Sequence, residues 1–246
     1  MQNQYDPRTS TGGSGGVNAA TVGVPRAARD AGLRSYMLSV YNYMTSGVLL
    51  TGIVALLFYN SGLAAQVMGT PLQWVIILAP LGFVMAMSFG LHRMSTGTLQ
   101  TLFWAFATAM GLSMSSIFLV FTGVSIAQTF FAVAAGFAGL SLWGYTTKKD
   151  LSGWGTFLIM GVVGLLVALL INLFLQSPAM MLAISAIGVL LFAGLTAYDT
   201  QRIKSVYFHV AGTDMMGKVI IMGALNLYLD FVNMFTFLLN FLGQRE

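Results

Sequence analysis

The sequence has no cysteine and very little charge. Its 246 residues include seven acidic and eleven basic side chains, so that only 7% are charged, whereas about a quarter of the residues in soluble domains are charged. The absence of cysteine excludes disulfides and thiolate chemistry. The shortage of charge excludes an ordinary water-soluble globule, because so few ionic groups cannot cover its surface. A hydrophobic content of 57% and a mean hydropathy of +0.81 instead indicate that lipid is the solvent for most of the chain.

Seven apolar runs are long enough to cross about 30 Å of hydrocarbon at 1.5 Å per residue. We therefore predict an all-α polytopic membrane protein whose seven transmembrane helices cover residues 38–58, 72–91, 99–121, 126–146, 155–175, 179–198 and 219–242. Residues 1–35 differ from this pattern, since they lack an apolar run and contain a Gly/Ser stretch at 12–16. We predict a disordered cytosolic tail over 1–35 and a membrane domain over 36–246.

The basic residues predict the orientation in the membrane. Ten of the eleven lie in the predicted tail or in alternate connections: Arg8, Arg26, Arg29, Arg34, Arg93, Lys148, Lys149, Arg202, Lys204 and Lys218. The connections near 59–71, 122–125 and 176–178 carry no charge. By the positive-inside rule the N-terminus is cytosolic, and Arg245 lies outside if the seventh segment crosses fully. A re-entrant seventh segment would leave every loop charge unchanged, so both possibilities stay open. The net charge of +4 then reflects topology, and no nucleic-acid partner is predicted.

Two predicted segments carry glycines three residues apart. Gly136 and Gly139 lie in the fourth segment, and Gly161 and Gly164 lie in the fifth. Lipid supplies no hydrophobic drive between helices, so small residues are needed for the close approach on which packing depends. We expect these four glycines to lie where helices touch.

Two of the seven acidic residues need a separate explanation. The other five lie in predicted tails or connections, where a carboxylate meets water: Asp6, Asp30, Asp150, Asp214 and Glu246. Asp230 lies about eleven residues into the seventh segment, roughly 16 Å from its start and near the bilayer midplane. An ionised aspartate there costs on the order of 3 kcal/mol unless it faces protein or water. Asp199 follows the sixth segment at the predicted cytosolic face.

A polar stripe on the seventh segment indicates where Asp230 points. At about 100° per residue, four polar side chains fall within about 40° of one line along the helix: Asn226, Asp230, Asn233 and Asn240. Lipid cannot satisfy these groups, so the last helix is predicted to lie at the centre of the bundle. One face of the sixth segment is also small and polar, with Ser185, Gly188, Thr196 and Asp199. We therefore predict the functional site between the sixth and seventh helices.

Two carboxylates in a partly dry site suit proton sensing. If Asp199 and Asp230 approach each other, two negative charges are disfavoured, and one proton is shared until the pH rises. Arg93 ends the second segment on the same face as Asp199, so the topology allows an ionic latch between them. Asn226 and Asn233 add amide oxygens to those of the two carboxylates, and such oxygens suit a hard cation such as Ca²⁺. The alternative is that these polar groups only form hydrogen bonds between helices for packing.

The same two aspartates raise an enzymatic alternative. Tyr198-Asp199 and Asp230 resemble the two-aspartate arrangement of intramembrane aspartyl proteases, in which one acid and one base act on a water. In those enzymes the second aspartate lies in a Gly-x-Gly-Asp motif, whereas here it follows Leu-Tyr-Leu, and no Pro-Ala-Leu motif comes after it. We therefore predict that the chain is not an enzyme. The sequence also lacks a phosphate loop, a dinucleotide fingerprint and a cysteine cluster, so no cofactor is predicted.

Two stretches of the sequence together resemble the Bax inhibitor-1 family. They are FAGLTAYDTQRIK at 192–204 and ALNLYLDFVNMF at 224–235. The tract GLSLWGYTTKKD at 139–150 and the pattern YMTSG at 43–47 are similar to the bacterial branch of that family. The resemblance covers about residues 36–243.

The resemblance implies both a fold and a function. It implies a seven-helix bundle with a central last helix, in a bacterial cytoplasmic (inner) membrane. It further implies a pH-sensitive Ca²⁺ leak whose di-aspartyl sensor maps onto Asp199 and Asp230, with an arginine that maps onto Arg93. Membrane lipid, Ca²⁺ and protons are then the expected partners, with Ca²⁺ as a permeant ion. Some bacterial relatives instead resemble non-conducting modulators of a membrane-anchored ATP-dependent protease, and for that function the N-terminal tail would matter.

Overall fold

A computed structural model describes residues 26–245, and every predicted apolar segment forms a helix in it. Within those residues, seven helices are long and apolar enough to cross a membrane, and no β-strand is present. The eight α-helices are α1 (Arg26–Asn60), α2 (Leu63–Val67), α3 (Pro71–Gly90), α4 (Thr96–Met114), α5 (Gly123–Thr146), α6 (Gly155–Leu175), α7 (Pro178–Val210) and α8 (Met215–Leu242). Short 3-10 helices at Ser115–Leu119 and Ser152–Trp154 follow α4 and precede α6. The all-α polytopic architecture is thus confirmed, and the five-residue α2 is the one described α-helix that was not predicted.

The first helix begins earlier than its apolar run. Residues 26–35, predicted as part of a disordered tail, form the start of α1, whereas residues 1–25 lie outside the described residues. The reason is contact with α7: the rings of Tyr36 and Tyr207 lie 5.3 Å apart, and a Cβ at Gly32 would collide with the hydroxyl of Tyr207. An apolar-run criterion misses these turns because they are polar on their other faces.

The helix α7 ends later than predicted. The sixth segment was expected to end at residue 198, but α7 continues to Val210. Arg202 and Lys204 are therefore helical residues and do not lie in a connection. The ammonium of Lys204 donates a hydrogen bond of 2.6 Å to the carbonyl of Tyr145, at the end of α5. Packing against α5 and α1 thus holds the polar turns of α7 in helical form.

Contacts between distant segments show which helix ends lie together. At one end, which we call the basic end, the connections 91–95, 147–154 and 211–214 meet; for example, a Cβ at Gly217 in α8 would lie 2.8 Å from Thr96 at the start of α4. At the opposite end the backbone N–H of Thr122 donates to the carbonyl of Gln244, at 3.0 Å. The helix α8 therefore runs the full length of the bundle, and the re-entrant alternative for the seventh segment is wrong. Arg245 lies at the end opposite to the other described basic residues.

The helix α8 lies at the centre of the bundle, as its polar stripe predicts. It packs against α1, α4, α5 and α7. In its most apolar 18-residue stretch 61% of the residues are buried, against at most 39% in any other spanning helix. The outer helices α3 and α6 are the most exposed, with 11% buried in each. A residue on α8 is thus the most effectively shielded from lipid.

Glycines bring helix backbones together, but at other positions than expected. A Cβ at Gly144 in α5 would collide with the carbonyl oxygen of Ala197 in α7, and one at Gly188 in α7 would lie 2.6 Å from the ring of Phe237 in α8. Of the four expected glycines only Gly161 touches a neighbour, Leu191. The expectation was wrong for the other three, Gly136, Gly139 and Gly164, which have open space beside them. Spacing alone does not show which face of a helix meets protein.

Candidate functional site

Asp230 lies deep in the central helix. It is about 22 Å from the start of α8 at 1.5 Å per residue, and only 4% of its surface is exposed. Its Oδ2 atom is buried without a hydrogen-bond partner. Buried polar atoms almost always have such a partner, so an orphaned carboxylate oxygen requires a specific explanation.

The rotation of α8 is fixed by a tyrosine two residues before Asp230. Tyr228 is fully buried, and its hydroxyl lies 2.6 Å from the hydroxyl of Thr51 in α1. Since the Thr51 hydroxyl donates to the carbonyl of Ala107 in α4, at 2.9 Å, Tyr228 is the donor to Thr51. Residues two apart on a helix point about 200° apart. With Tyr228 fastened to α1 and α4, Asp230 is directed toward the other side of α8, where α7 lies.

Asp199 occupies an interior turn of α7. The sequence placed it at a helix end, but α7 continues for eleven residues to Val210, so that expectation is wrong. Its side chain is half-buried. Arg202, one turn farther along the same helix, has a favourable electrostatic interaction with the Asp199 carboxylate. Arg202, which the sequence pattern placed in a connection, is thus a helical residue that interacts with Asp199.

The packing register of α7 and α8 brings the two aspartates close together. Gly188 of α7 faces Phe237 of α8, and Ile203 of α7 faces Gly223 of α8. In an antiparallel pair with this register, Asp199 lies opposite a residue about one turn, or 5.4 Å along the axis, from Asp230. The two carboxyl groups interact electrostatically. The two carboxyl groups are therefore neighbours between α7 and α8, and that they form a functional site stays a prediction.

Neighbouring carboxyl groups in a dry setting behave as one titrating unit. Two full negative charges at short range repel each other strongly where the dielectric constant is low. Such a pair takes up and releases its protons in two steps that belong to the pair. Because Oδ2 of Asp230 has no partner, it is available to hold a proton, a cation or a water. The arrangement can therefore exchange a proton for another positive charge.

The other predicted site residues form few interactions with other helices among the described residues. Arg93 is exposed in the connection between α3 and α4, and the basic residue that interacts with Asp199 among residues 26–245 is Arg202. Asn226 and Asn233 are half-buried on α8, and neither side chain forms a hydrogen bond within the described part of the chain. Asn240 donates to the carbonyl of Thr236 on its own helix, at 2.8 Å. The hydrogen bonds between helices on which the packing alternative depends are thus not made by these asparagines among residues 26–245.

A chain of hydroxyl groups beside Asp199 was not predicted. The Thr200 hydroxyl donates to the carbonyl of Thr196, at 2.7 Å, so the Ser141 hydroxyl, 2.9 Å away, must donate to Thr200. The Tyr41 hydroxyl then donates to Ser141, at 2.6 Å. This chain joins α1 and α5 to α7 next to the carboxyl pair. The partners are far apart in sequence, so local patterns carry no signal of it.

The carboxyl pair lies apart from the cavity between α1 and α5. A cavity of about 730 Å³ lies between α1 and α5, and neither Asp199 nor Asp230 lines it. Among the described residues, no group of three or more histidine, aspartate or glutamate side chains could hold a metal ion. The site consists of two carboxyl groups enclosed by helices.

Comparisons with known proteins identify relatives over most of the chain. The family model for the inhibitor of apoptosis-promoting Bax1 matches residues 33–246. An uncharacterized protein of Rickettsia prowazekii is 46% identical over 219 residues, which cover 88% of this chain and 92% of that protein. Inner membrane protein YbhL of Escherichia coli K12 is 44% identical over 220 residues, which cover 88% of this chain and 94% of that protein. A Caulobacter vibrioides protein is 44% identical over 230 residues, with 88% and 91% covered.

Proposed function

This chain belongs to the Bax inhibitor family, and from that premise we propose that it is a pH-sensitive, Ca²⁺-permeable leak pathway of the bacterial inner membrane. Asp199 and Asp230 act as its proton sensor. Support comes from the seven spanning helices and from the similarity to an inner membrane protein. In this proposal Ca²⁺ is the permeant ion, and no bound cofactor takes part.

The observation that carries the proposal is the state of Asp230. It is the one acidic side chain that is fully buried among the described residues, it lies in the central helix, and its Oδ2 has no partner. A packing role would place partners around this carboxyl group. A sensor or an ion-binding group instead needs an acceptor that a proton or a cation can occupy.

The expected direction of the pH response follows from charge. When the pH falls, the pair takes up a proton, and Asp199 loses the negative charge that a cation such as Arg93 would hold in a latch. The pathway should then open, so Ca²⁺ flux rises as the pH falls. The amide oxygens of Asn226 and Asn233 lie along the same helix and would give the ion polar contacts beyond the pair.

Reconstitution in liposomes tests the proposal directly. The purified protein is inserted in vesicles that enclose a Ca²⁺ indicator, and uptake is followed from pH 5.5 to pH 8.5. We expect more flux at acidic than at alkaline pH, and we expect Asp199→Asn and Asp230→Asn each to flatten that dependence. Asp214→Asn is the matched control, because Asp214 is an exposed acid just before α8. Absent flux, or a pH response retained in both site variants, would refute the channel.

The competing proposal is a non-conducting modulator of a membrane-anchored ATP-dependent protease. The two proposals differ in their dependence on the N-terminal residues, which only a binding partner would need. Because α1 begins at Arg26, deleting residues 2–25 leaves every described helix intact. Flux that survives this deletion with its pH response supports the leak pathway. Vesicles without flux, combined with a membrane protease whose activity changes only when residues 2–25 are present, would support the modulator.

A further inference from the structure

An open apolar groove runs along one side of the bundle, away from the carboxyl pair. It encloses about 730 Å³ and is lined mainly by α1 and α5, with Phe231 of α8 as part of its lining. Both α1 and α5 pack against α8, so the central helix forms the floor between them. A volume of this size falls in the range of specific ligand pockets, about 300–1,000 Å³. The groove faces the surroundings of the bundle laterally, where a membrane protein meets lipid.

The groove is long and follows regular helix faces. On α1 its lining runs from Arg34 to Leu49, and on α5 from Phe130 to Tyr145. At 1.5 Å per residue the stretch on α1 is about 22 Å long, which exceeds half of a hydrocarbon core of about 30 Å. It therefore extends from the basic end past the middle of the bilayer, which is the span of a lipid acyl chain in one leaflet.

Two cations lie at the basic end of the groove. Arg34 is an exposed residue of its lining. The ammonium of Lys204 lies 5.0 Å from the centre of the Tyr145 ring, which also lines the groove. Basic pockets between transmembrane helices on the cytoplasmic side are typical binding sites of acidic lipid head groups. Apolar walls with two cations at one end thus complement an amphiphile with a negative head group.

The walls of the groove are connected to both helices of the carboxyl pair. Ser141 lines the groove and donates to Thr200, which follows Asp199 on α7. Phe231 lines the groove and follows Asp230 on α8. A molecule bound in the groove would therefore contact Ser141, which is hydrogen-bonded to the residue after Asp199, and Phe231, which is the residue after Asp230.

From this geometry we propose that the groove between α1 and α5 is a binding site for one anionic phospholipid of the leaflet at the basic end. The phosphate group lies between Arg34 and Lys204, and one acyl chain lies along the groove over Ala138 and Phe231. The site goes beyond the proposed leak activity and does not depend on it, because its occupancy is measured without any flux.

Native mass spectrometry of the full chain released from detergent measures this occupancy. The delipidated protein is incubated with phosphatidylglycerol or with phosphatidylcholine of the same acyl chains, and retained lipids are counted. We expect phosphatidylglycerol to be retained preferentially, with one lipid per chain at the lowest concentration that gives binding. Arg34→Gln should reduce the preference about fivefold, whereas Lys148→Gln, which removes a charge from the connection after α5, should leave it unchanged.

A second pair of variants tests the apolar part. Ala138 is exposed and lines the groove, and Ala138→Trp should fill it and abolish the single retained lipid. Ala135 is also exposed on α5 but does not line the groove, so Ala135→Trp is the matched control.

Three results would overturn the proposal: equal retention of the two lipids, equal effects of Arg34→Gln and Lys148→Gln, or equal effects of the two tryptophan substitutions. So would a dimer of the chain that Ala138→Trp dissociates, because a second copy would then occupy the groove. Arg34 is exposed, so its variant is informative even if Ala138→Trp does not fold.

Discussion

The contact between Gly188 and Phe237 is the most direct place to test the packing that brings the two aspartates together. In Gly188→Ala the new Cβ would lie 2.6 Å from Cγ of the Phe237 ring, whereas ordinary contacts lie at 3.4–4 Å. The ring, or α8 with it, must move by roughly 1 Å. Overpacking of this kind costs about 1–3 kcal/mol, which exceeds the gain of up to about 1 kcal/mol from replacing glycine by alanine in a helix. We therefore expect a net loss of stability.

Thermal unfolding in detergent, followed by intrinsic fluorescence, measures this loss. For a chain of this length about 1 kcal/mol corresponds to roughly 2–4 °C in Tm, so Gly188→Ala should unfold several degrees below the parent. Gly164→Ala is the matched control, because a Cβ there meets nothing within 4 Å. It should match the parent or exceed it slightly. Adding Phe237→Leu to Gly188→Ala should recover part of the loss, because the smaller side chain relieves the collision.

Two results would refute this reasoning. If Gly188→Ala were as stable as Gly164→Ala, the close approach of α7 and α8 would not exist at that position. If Phe237→Leu gave no recovery in the Gly188→Ala background, the collision would involve another group. The first result would also remove one of the two contacts from which the register of α7 and α8 is argued, and leave only that of Ile203 with Gly223.

Three further predictions concern the surroundings of the pair. Tyr228→Phe removes the hydrogen bond to Thr51, whereas Thr51 keeps its bond to the carbonyl of Ala107. We therefore expect the free energy of unfolding to fall by about 1 kcal/mol and the pH response of flux to be retained. A flattened pH response would contradict a purely positional role of Tyr228. In the proposed closed state Arg93 would pair with ionised Asp199, a pair that the described residues do not form here, and Arg93→Ala should therefore raise Ca²⁺ flux at alkaline pH. Arg202→Gln should move the flux response toward higher pH, because ionised Asp199 loses the cation that the structure provides. Unchanged flux in Arg93→Ala would eliminate the latch, and an unmoved response in Arg202→Gln would show that Asp199 does not set the pH dependence.

The spanning helices and the central position of the last one could be predicted because both depend on local patterns. A run of apolar residues reports a lipid environment, and the stripe that contains Asn226 and Asp230 reports a helix that cannot face lipid. The end of α7 could not be predicted in this way. Arg202 and Lys204 interrupt the apolar run, yet long basic side chains extend away from apolar surroundings while their backbone stays helical, and so Asp199 was placed at a helix end.

Contacts between distant segments were also beyond local patterns. Thr51 and Tyr228 are separated by 177 residues, and Tyr41 and Ser141 by 100. Neither residue of such a pair shows in its own segment that it needs the other. The glycines make the same point, since Gly144 allows close approach and Gly139 in the same helix does not. These features depend on how the helices are rotated about their axes, which the tertiary packing decides.

The extension of α7 past the end of α5 has a mechanical consequence. At Lys204 the helix α7 has reached the end of α5, and it continues to Val210, about 9 Å farther, with Tyr207 against Tyr36. The start of α8 lies beside these turns, since Ile203 faces Gly223 and α8 begins at Met215. Because α7 is unbroken between Asp199 and Tyr207, about 12 Å apart along the axis, a rotation of its last turns would also rotate Asp199. The carboxylate is thus coupled through one rigid helix to the end of the bundle at which α7 and α8 are connected.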